Sequence, residues 1–475
     1  MTAAIAASVL AGCAPATTDT PPDLAITNVH VVDVATGELL RDRTVTIRDG
    51  RIDAILAADE GAAAASDAID NVDGAGRYMV PGLWDMHVHF RGGAELIAAN
   101  RALLPLYIAN GVTTVRDAGG DMTTSVLEWD RQAEAGDIVG PRILTSGPKL
   151  DGPTGGWDGS IRLTAPEDVP AAIDSLQSLG VDYVKIYDGT TSRDVFLAIL
   201  DETERRGMIA TGHMPFTVKF AEAVDHGLDA TEHLYSVFKG SALNEDSVTA
   251  AVIATENTDR SVGFWGGLSL LRPRYDEELA RSTFRHMVEE GTAVLPTLHI
   301  GRVLSWVEET DHANDPELRY IDPGIVETYA GRVNSARGAS AASRRERRAL
   351  QEMFIDMVPV MHEEGVTILA GSDAGVSNSH VYPGFSLHAE LEELAAAGIP
   401  PADVLRIATM EAAEFMRLGN ELGRVEPGYR ADLALLRENP LEDIRNTRSV
   451  DLVILGGRTV LDRAALDELL ESVAR

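Results

Sequence analysis

The amino-acid sequence predicts an α/β protein: a (β/α)8 barrel of the TIM type with a small β-sandwich formed by the N- and C-terminal segments. Three observations predict it. Through the middle of the chain, short β-branched or apolar runs alternate with helical stretches, the pattern of βαβ units around a parallel sheet. Gly111, Gly180, Gly207, Gly227 and Gly291 each stand between a helical stretch and the next strand, where a left-handed residue ends a helix. Both ends of the chain instead alternate in twos, as half-buried antiparallel strands do.

The elements follow in order. Leu10-Ala11-Gly12-Cys13, after a short apolar stretch, resembles a bacterial lipobox, whose cysteine is acylated after cleavage. Residues 1–22 then read as signal and tether, and the expected location is the cell envelope or periplasm, with Cys13 as a lipid anchor. Met1 to Ser8 carries no Lys or Arg, where such a signal opens with positive charge. From Leu24 to Val80, runs such as Thr44-Val45-Thr46-Ile47-Arg48 are broken at the turn formers Thr36-Gly37, Asp49-Gly50 and Asp73-Gly74. The same texture returns in Ala431 to Leu436 and Leu452 to Leu455, followed by Gly456-Gly457 and a final helix from Arg463. Residues 23–82 and 420–475 are therefore expected to form the sandwich.

Residues 83–419 are expected to form the barrel. Its eight strands are expected at Trp84–His89, Val112–Arg116, Arg142–Ser146, Asp182–Tyr187, Met208–His213, Asp229–His233, Thr292–Leu298 and Thr367–Ser372. The segment from Gly301 to about Ser343 is too long for an ordinary loop and reads as a lid or substrate-binding insert. Arg344, Arg345, Arg347 and Arg348 read as a solvated helix face.

Composition narrows the function classes. Hydrophobic residues make up 45% of the 475 and charged residues 24%, which excludes a disordered chain and a polytopic membrane protein. The balance of 41 basic against 74 acidic residues, −33 net, repels phosphate backbones and argues against nucleic acid as a partner. No segment after the leader reaches the roughly 18 apolar residues of a membrane span, so the only membrane attachment expected is at Cys13. Cys13 is also the only cysteine, which excludes an internal disulfide. A homo-oligomer is expected.

Four histidines fall at the C-terminal ends of expected barrel strands, the face where such barrels build active sites. His87 and His89 are two apart on the first strand, so both rings point to one side. His213 ends the fifth strand and His233 the sixth. Asp373 follows the eighth strand, which places a carboxylate beside the first strand once the barrel closes. Converging imidazoles and a carboxylate suit a divalent cation. Lys185 sits between apolar residues on the fourth strand, where an isolated ammonium is costly. It is one of only four lysines, with Lys149, Lys219 and Lys239, in a chain that otherwise uses arginine. Unlike arginine, a lysine can deprotonate and take up carbon dioxide, and the resulting carbamate could bridge two cations.

The entry Val80-Pro81-Gly82-Leu83-Trp84-Asp85-Met86-His87-Val88-His89, the strand-four lysine, Gly371-Ser372-Asp373-Ala374-Gly375 and the run Leu422 to Ala434 resemble the amidohydrolase superfamily. The match covers Leu24 to about Val460. Within the superfamily the chain looks most like the imidazolonepropionase-related branch that includes metal-dependent Xaa-Pro and Xaa-Arg dipeptidases. The resemblance implies two divalent ions, zinc foremost. His87, His89 and Asp373 would hold the first, His213 and His233 the second, and N6-carboxylated Lys185 would bridge them. It implies hydrolysis of an amide bond in a dipeptide or N-acyl amino acid by a hydroxide shared between the metals, with Asp373 carrying the proton. Tyr235 resembles a tyrosine that binds substrate in the dipeptidases, whereas Trp157 stands where those relatives often have histidine.

The other readings are a cyclic-amide hydrolase or deaminase on the same barrel, and a non-catalytic, lipid-anchored binding protein. Deaminase relatives typically place a glutamate on strand five, which here ends in His213 with no glutamate nearby. Arg116 and Asp117 read as a structural ion pair. His299 and His380 are weaker candidates for substrate contact, and His226, His286, His312, His362 and His388 are expected to take no part in catalysis.

Overall fold

A computed structural model describes residues 20–255 and 262–474. Cys13 and the expected signal and tether up to residue 19 lie outside the described residues. The alternating N-terminal segments form β1 (Leu24–Asp33), β2 (Glu38–Arg48), β3 (Arg51–Ala57) and β4 (Asp70–Pro81). Next come β5 (Leu83–His89), β6 (Val112–Asp117), β7 (Arg142–Thr145), β8 (Lys149–Asp151), β9 (Ser160–Arg162), β10 (Val184–Ile186), β11 (Ala210–Gly212), β12 (Ala230–Glu232), β13 (Ala293–Leu295) and β14 (Ala374–Gly375). The chain then returns as β15 (Leu433–Leu436), β16 (Val450–Leu455) and β17 (Thr459–Asp462) before the helix Arg463–Val473.

The two ends meet in one seven-stranded sheet of order β17-β16-β15-β4-β1-β2-β3. Antiparallel pairing of β15 with β4 makes the join, with Leu433 opposite Pro81 and Leu436 opposite Tyr78. The strand pairings thus unite both ends in one hydrogen-bonded sheet, whose β3 end bridges back to the returning segment at Arg51 and Arg430. Ile26, Val31, Val45, Ile47, Leu433 and Ile454 share an apolar core separate from the main one.

Between the ends, the fold is mixed α/β with parallel sheets, consistent with a TIM-type barrel. One sheet has the order β14-β5-β6-β7 and the other β13-β12-β11-β10-β8-β9. Two seams link them: Asp182 N–H donates to Thr145 O at 2.9 Å, and Leu369 N–H to Val294 O at 2.9 Å. Trp84, Tyr183, Ile209, Ala293, Leu295 and Leu369, drawn from both sheets and their flanks, pack in one cluster. All five inter-element glycines adopt the left-handed conformation, with φ from 64° to 83°.

Several elements differ from the expected ones, for local reasons. Thr367–Ser372 is no regular strand: it makes one parallel bridge, Ile368 to Val294, and the paired residues are Ala374 and Gly375. Here the Asp85 carboxylate accepts from Ser372 N–H at 2.8 Å and from its hydroxyl at 2.5 Å, so a side chain replaces the backbone partner of a ladder. The seventh strand stops at Leu295, because Thr297 turns left-handed (φ 48°) and the helix Leu298–Trp306 begins. β8 and β9, unexpected from the sequence, pair in parallel and hold Trp157 on the loop between them.

The insert is helical, running through Pro323–Thr328 and Ala330–Gly338 into the long helix Ala341–Glu364. The arginine run on that helix is only partly solvated. Arg345 is exposed, but Arg344, Arg347 and Arg348 are half-buried around Glu308. Among the described residues no helix is long and apolar enough to cross a membrane.

Candidate metal centre

His87 and His89 end β5, where a bulge falls between Asp85 and Val88, and their Nε2 atoms lie 3.1 Å apart. Asp373 faces them from the segment that Asp85 staples to β5. Its Oδ1 is 2.8 Å from His89 Nε2 and 3.4 Å from His87 Nε2. The edges of a zinc tetrahedron with bonds of 2.0–2.1 Å are about 3.3 Å long. These three atoms therefore fit one small divalent ion. His233 Nε2 approaches the other oxygen, Oδ2, at 3.9 Å, and the His213 ring lies 5.1 Å from that of His233.

Backbone strain holds part of this set. His233 (φ 60°), Asp373 (φ 58°) and Thr297 (φ 48°) are left-handed residues without being glycine, a conformation that costs energy and clusters at functional sites. Thr297 also settles a tautomer. Its hydroxyl donates to Pro296 O at 2.8 Å, so it accepts from His233 Nδ1–H at 2.5 Å, and Nε2 keeps its lone pair for the cavity. Burial pushes His89 down to about 3, His233 to about 4, and His87 and His213 well below 6.5, so all four rings are neutral at pH 7, the form able to coordinate a cation. Burial raises the Asp373 carboxyl, but the surrounding histidines, His87 first, outweigh it and hold the group well below the usual range. Asn378 Nδ2 donates to Asp373 Oδ1 at 2.6 Å.

Lys185 is fully buried, and its Nζ lies directly against Glu232 Oε2. That carboxylate is a residue that sequence reasoning missed. It also accepts from Arg116 Nη2 at 2.9 Å and Thr211 Oγ1 at 3.1 Å, and stands 3.6 Å from His87 Nδ1. Burial, then repulsion by Arg116, lowers the Lys185 pKa well below its ordinary value, which favours the neutral amine. The expected Arg116–Asp117 pair is absent. Successive strand residues point to opposite sides, so Arg116 turns inward to Glu232 and Met86 O, while Asp117 accepts from Phe90 N–H, Gly119 N–H and Thr145 Oγ1.

Over these side chains opens a cavity of about 260 Å³ lined by His87, His89, His213, His233 and Asp373. Tyr235 lines it, its ring 5.4 Å from that of His233, and burial raises its hydroxyl to about 12, so it remains a proton donor. Trp157 lines it too, beneath the Arg91 guanidinium, 4.4 Å from the ring centroid. Arg91 is already engaged, donating to Val376 O and Asn378 Oδ1. Asp188 completes the acidic lining with Asp373; burial raises its pKa to about 6. Among the described residues no glutamate lines the cavity.

The weaker candidates lie elsewhere. His299 packs beside Glu390, which accepts its backbone N–H, and does not line the cavity. His380 stacks on His312 at 4.1 Å, and Asp315 bonds both His312 and Tyr382, so this group ties the insert to the loop after Asp373. His226, His286 and His362 pair with Asp201, Asp225 and Asp403, and His388 is bonded in the core.

An adenine deaminase of Ruegeria pomeroyi is 28% identical over 200 residues, 41% of this chain and 32% of its own length. The chain spans less than two thirds of the length of the first curated relatives it matches. The structure of a prolidase-like protein from Bifidobacterium longum superposes with a TM-score of 0.67 at 25% identity, covering 95% of this chain and 100% of that one. A Xaa-Pro dipeptidase with bound methionine shares the fold at 21% identity, with a TM-score of 0.65 over 91% of this chain and 98% of that one. Members of the Amidohydrolase family are hydrolases of carbon–nitrogen bonds. Because the family pattern matches residues 78–261 and 305–460, most of the chain, with His87, His89, Lys185, His213, His233 and Asp373 among them, this protein belongs to the amidohydrolase family.

Proposed function

We propose that the protein hydrolyses the amide bond of a dipeptide or N-acyl amino acid at a two-metal centre on a closed eight-stranded barrel. The observation that carries the reading is the convergence of His87, His89 and Asp373 on one point, beside His213 and His233, at the base of a cavity. His87, His89 and Asp373 would hold one ion, His213 and His233 the other, with carboxylated Lys185 between them. Bound zinc would polarise the scissile carbonyl and acidify the attacking water.

The chain's own residues supply the rest. Asp373 stays anionic and takes the proton of the attacking water, then returns it to the departing amine. Asn378 fixes the carboxylate in that orientation. Tyr235 donates its hydroxyl to the carbonyl oxygen as charge develops there. Asp188 offers a carboxylate to a substrate ammonium.

Deamination, the activity named for the Ruegeria relative, commonly draws on a cavity glutamate, and among the described residues no glutamate lines this one. Purified protein loaded with zinc, with metal content counted, should cleave members of a panel of dipeptides and N-acyl amino acids. Ammonia release from adenine, with no cleavage across the panel, would overturn the reading.

Location at the cell envelope through an acylated Cys13 belongs to the same proposal and rests on Leu10-Ala11-Gly12-Cys13. Cys13→Ser is expected to move the protein expressed in a bacterial host from the membrane to the soluble fraction. Wild type that is already wholly soluble with Met1 intact would remove the anchor from the account.

A further inference from the structure

The cavity above the metal ligands continues past Tyr235. Tyr235, Leu304, Arg332, Gln351 and Phe354 line it and also line a second chamber of about 190 Å³, roughly the size of one amino-acid residue. Trp265 and Leu350 make its other apolar walls.

Two arginines line this chamber, one without a carboxylate partner among the described residues and one with only a distant, unbonded one. Arg332, on the helix Ala330–Gly338, is half-buried and has no carboxylate within 4 Å among the described residues. Arg347 has Nε and Nη2 buried without a hydrogen-bond partner. The nearest carboxylate oxygen to Arg347, Glu308 Oε2, is 3.7 Å away. Glu308 Oε1 serves Arg348 at 2.7 Å and Arg344 at 3.3 Å, and Oε2 itself is buried without a hydrogen bond, so the pairing with Arg347 is too long to satisfy either side. A chain of net charge −33 thus concentrates unbalanced positive charge beside an apolar pocket that opens onto its metal centre. Buried guanidinium N–H groups left unpaired are costly and are matched best by a planar carboxylate.

We propose that the second chamber receives the leaving amino acid, its α-carboxylate held by Arg332 and Arg347 and a large apolar side chain packed against Trp265, Leu304 and Phe354. This assignment rests on the amide-hydrolase reading and narrows it to substrates with a free carboxylate and an aromatic or long aliphatic residue on the amine side. The insert, which carries Arg332, is then a specificity element.

The test uses N-acetyl-L-phenylalanine, its carboxamide and N-acetylglycine with zinc-loaded protein, measuring calorimetric binding beside steady-state hydrolysis. Wild type is expected to bind the phenylalanine acid at least tenfold more tightly than the amide or the glycine analogue. Arg332→Met should weaken binding of the acid 10- to 100-fold and leave the amide within about twofold, with metal content unchanged; Arg332→Lys should recover part of the loss. Equal losses on acid and amide, or none, would overturn the carboxylate assignment. Equal binding of the glycine analogue would overturn the apolar one. Acid-selective binding that Arg332→Met abolishes, without hydrolysis of any probe, supports the chamber and sinks the hydrolase reading. Hydrolysis with no acid preference does the reverse.

Discussion

Asp373→Asn is expected to retain bound metal and substrate affinity while turnover falls by about 10²–10⁴-fold, the usual cost of losing general acid–base help. Asparagine keeps the shape and one oxygen that can still coordinate beside His87 and His89. Its neutral amide cannot take the proton of the attacking water. The Asn378 contact separates this role from simple ligation. Asn378 donates to Asp373 Oδ1 at 2.6 Å, and an asparagine at 373 can still present its carbonyl oxygen there, so the backbone at φ 58° need not move. Metal analysis beside steady-state kinetics decides the matter. Near-wild-type turnover would show that another group carries the proton, and Asp188, a second carboxylate lining the cavity, becomes the next candidate.

Lys185→Ala is expected to hold fewer than two metals per chain, with partial recovery of the second metal and of activity on adding a small carboxylic acid. The reason is charge: two cations near four neutral imidazoles need an anion between them, and Asp373 alone serves mainly the first. A plain Lys185–Glu232 ion pair makes a different prediction. Removing one partner of a buried pair costs about 3–5 kcal/mol because the other charge is stranded. Lys185→Met combined with Glu232→Gln would relieve that stranded charge. If the lysine serves only as a counterion, the double variant should recover both stability and two metals. If it bridges as a carbamate, stability should recover and the second metal should not. Two tightly held metals in Lys185→Ala without added acid would rule out the carbamate.

Much of the candidate centre was legible because it depends on short-range periodicity. His87 and His89 share a face since strand residues alternate, and His213 and His233 were recognisable as strand-end residues from the apolar runs before them. Asp373 could be placed beside them from the order of strands alone. The eighth strand misled, because the Asp85 carboxylate takes the place of a ladder partner and no local pattern reveals a bond across 287 residues. Arg116 was paired with its sequence neighbour for the same reason: adjacency in sequence puts strand side chains on opposite faces.

By itself, then, the sequence determined the α/β class, the five helix-ending glycines, the union of the two chain ends in strands, and the residue types able to bind a cation. Those follow from local sterics and from apolar periods of two and 3.6, which any window of the chain displays. Only the tertiary structure decided that Glu232 backs Lys185, that Thr297 sets the tautomer of His233, that Asn378 steadies Asp373, and that Arg332 and Arg347 border a second chamber. Each of these joins elements distant in sequence through one or two polar atoms. Such contacts leave no periodic trace, because their energy comes from burial and charge at a single point where packing has excluded water.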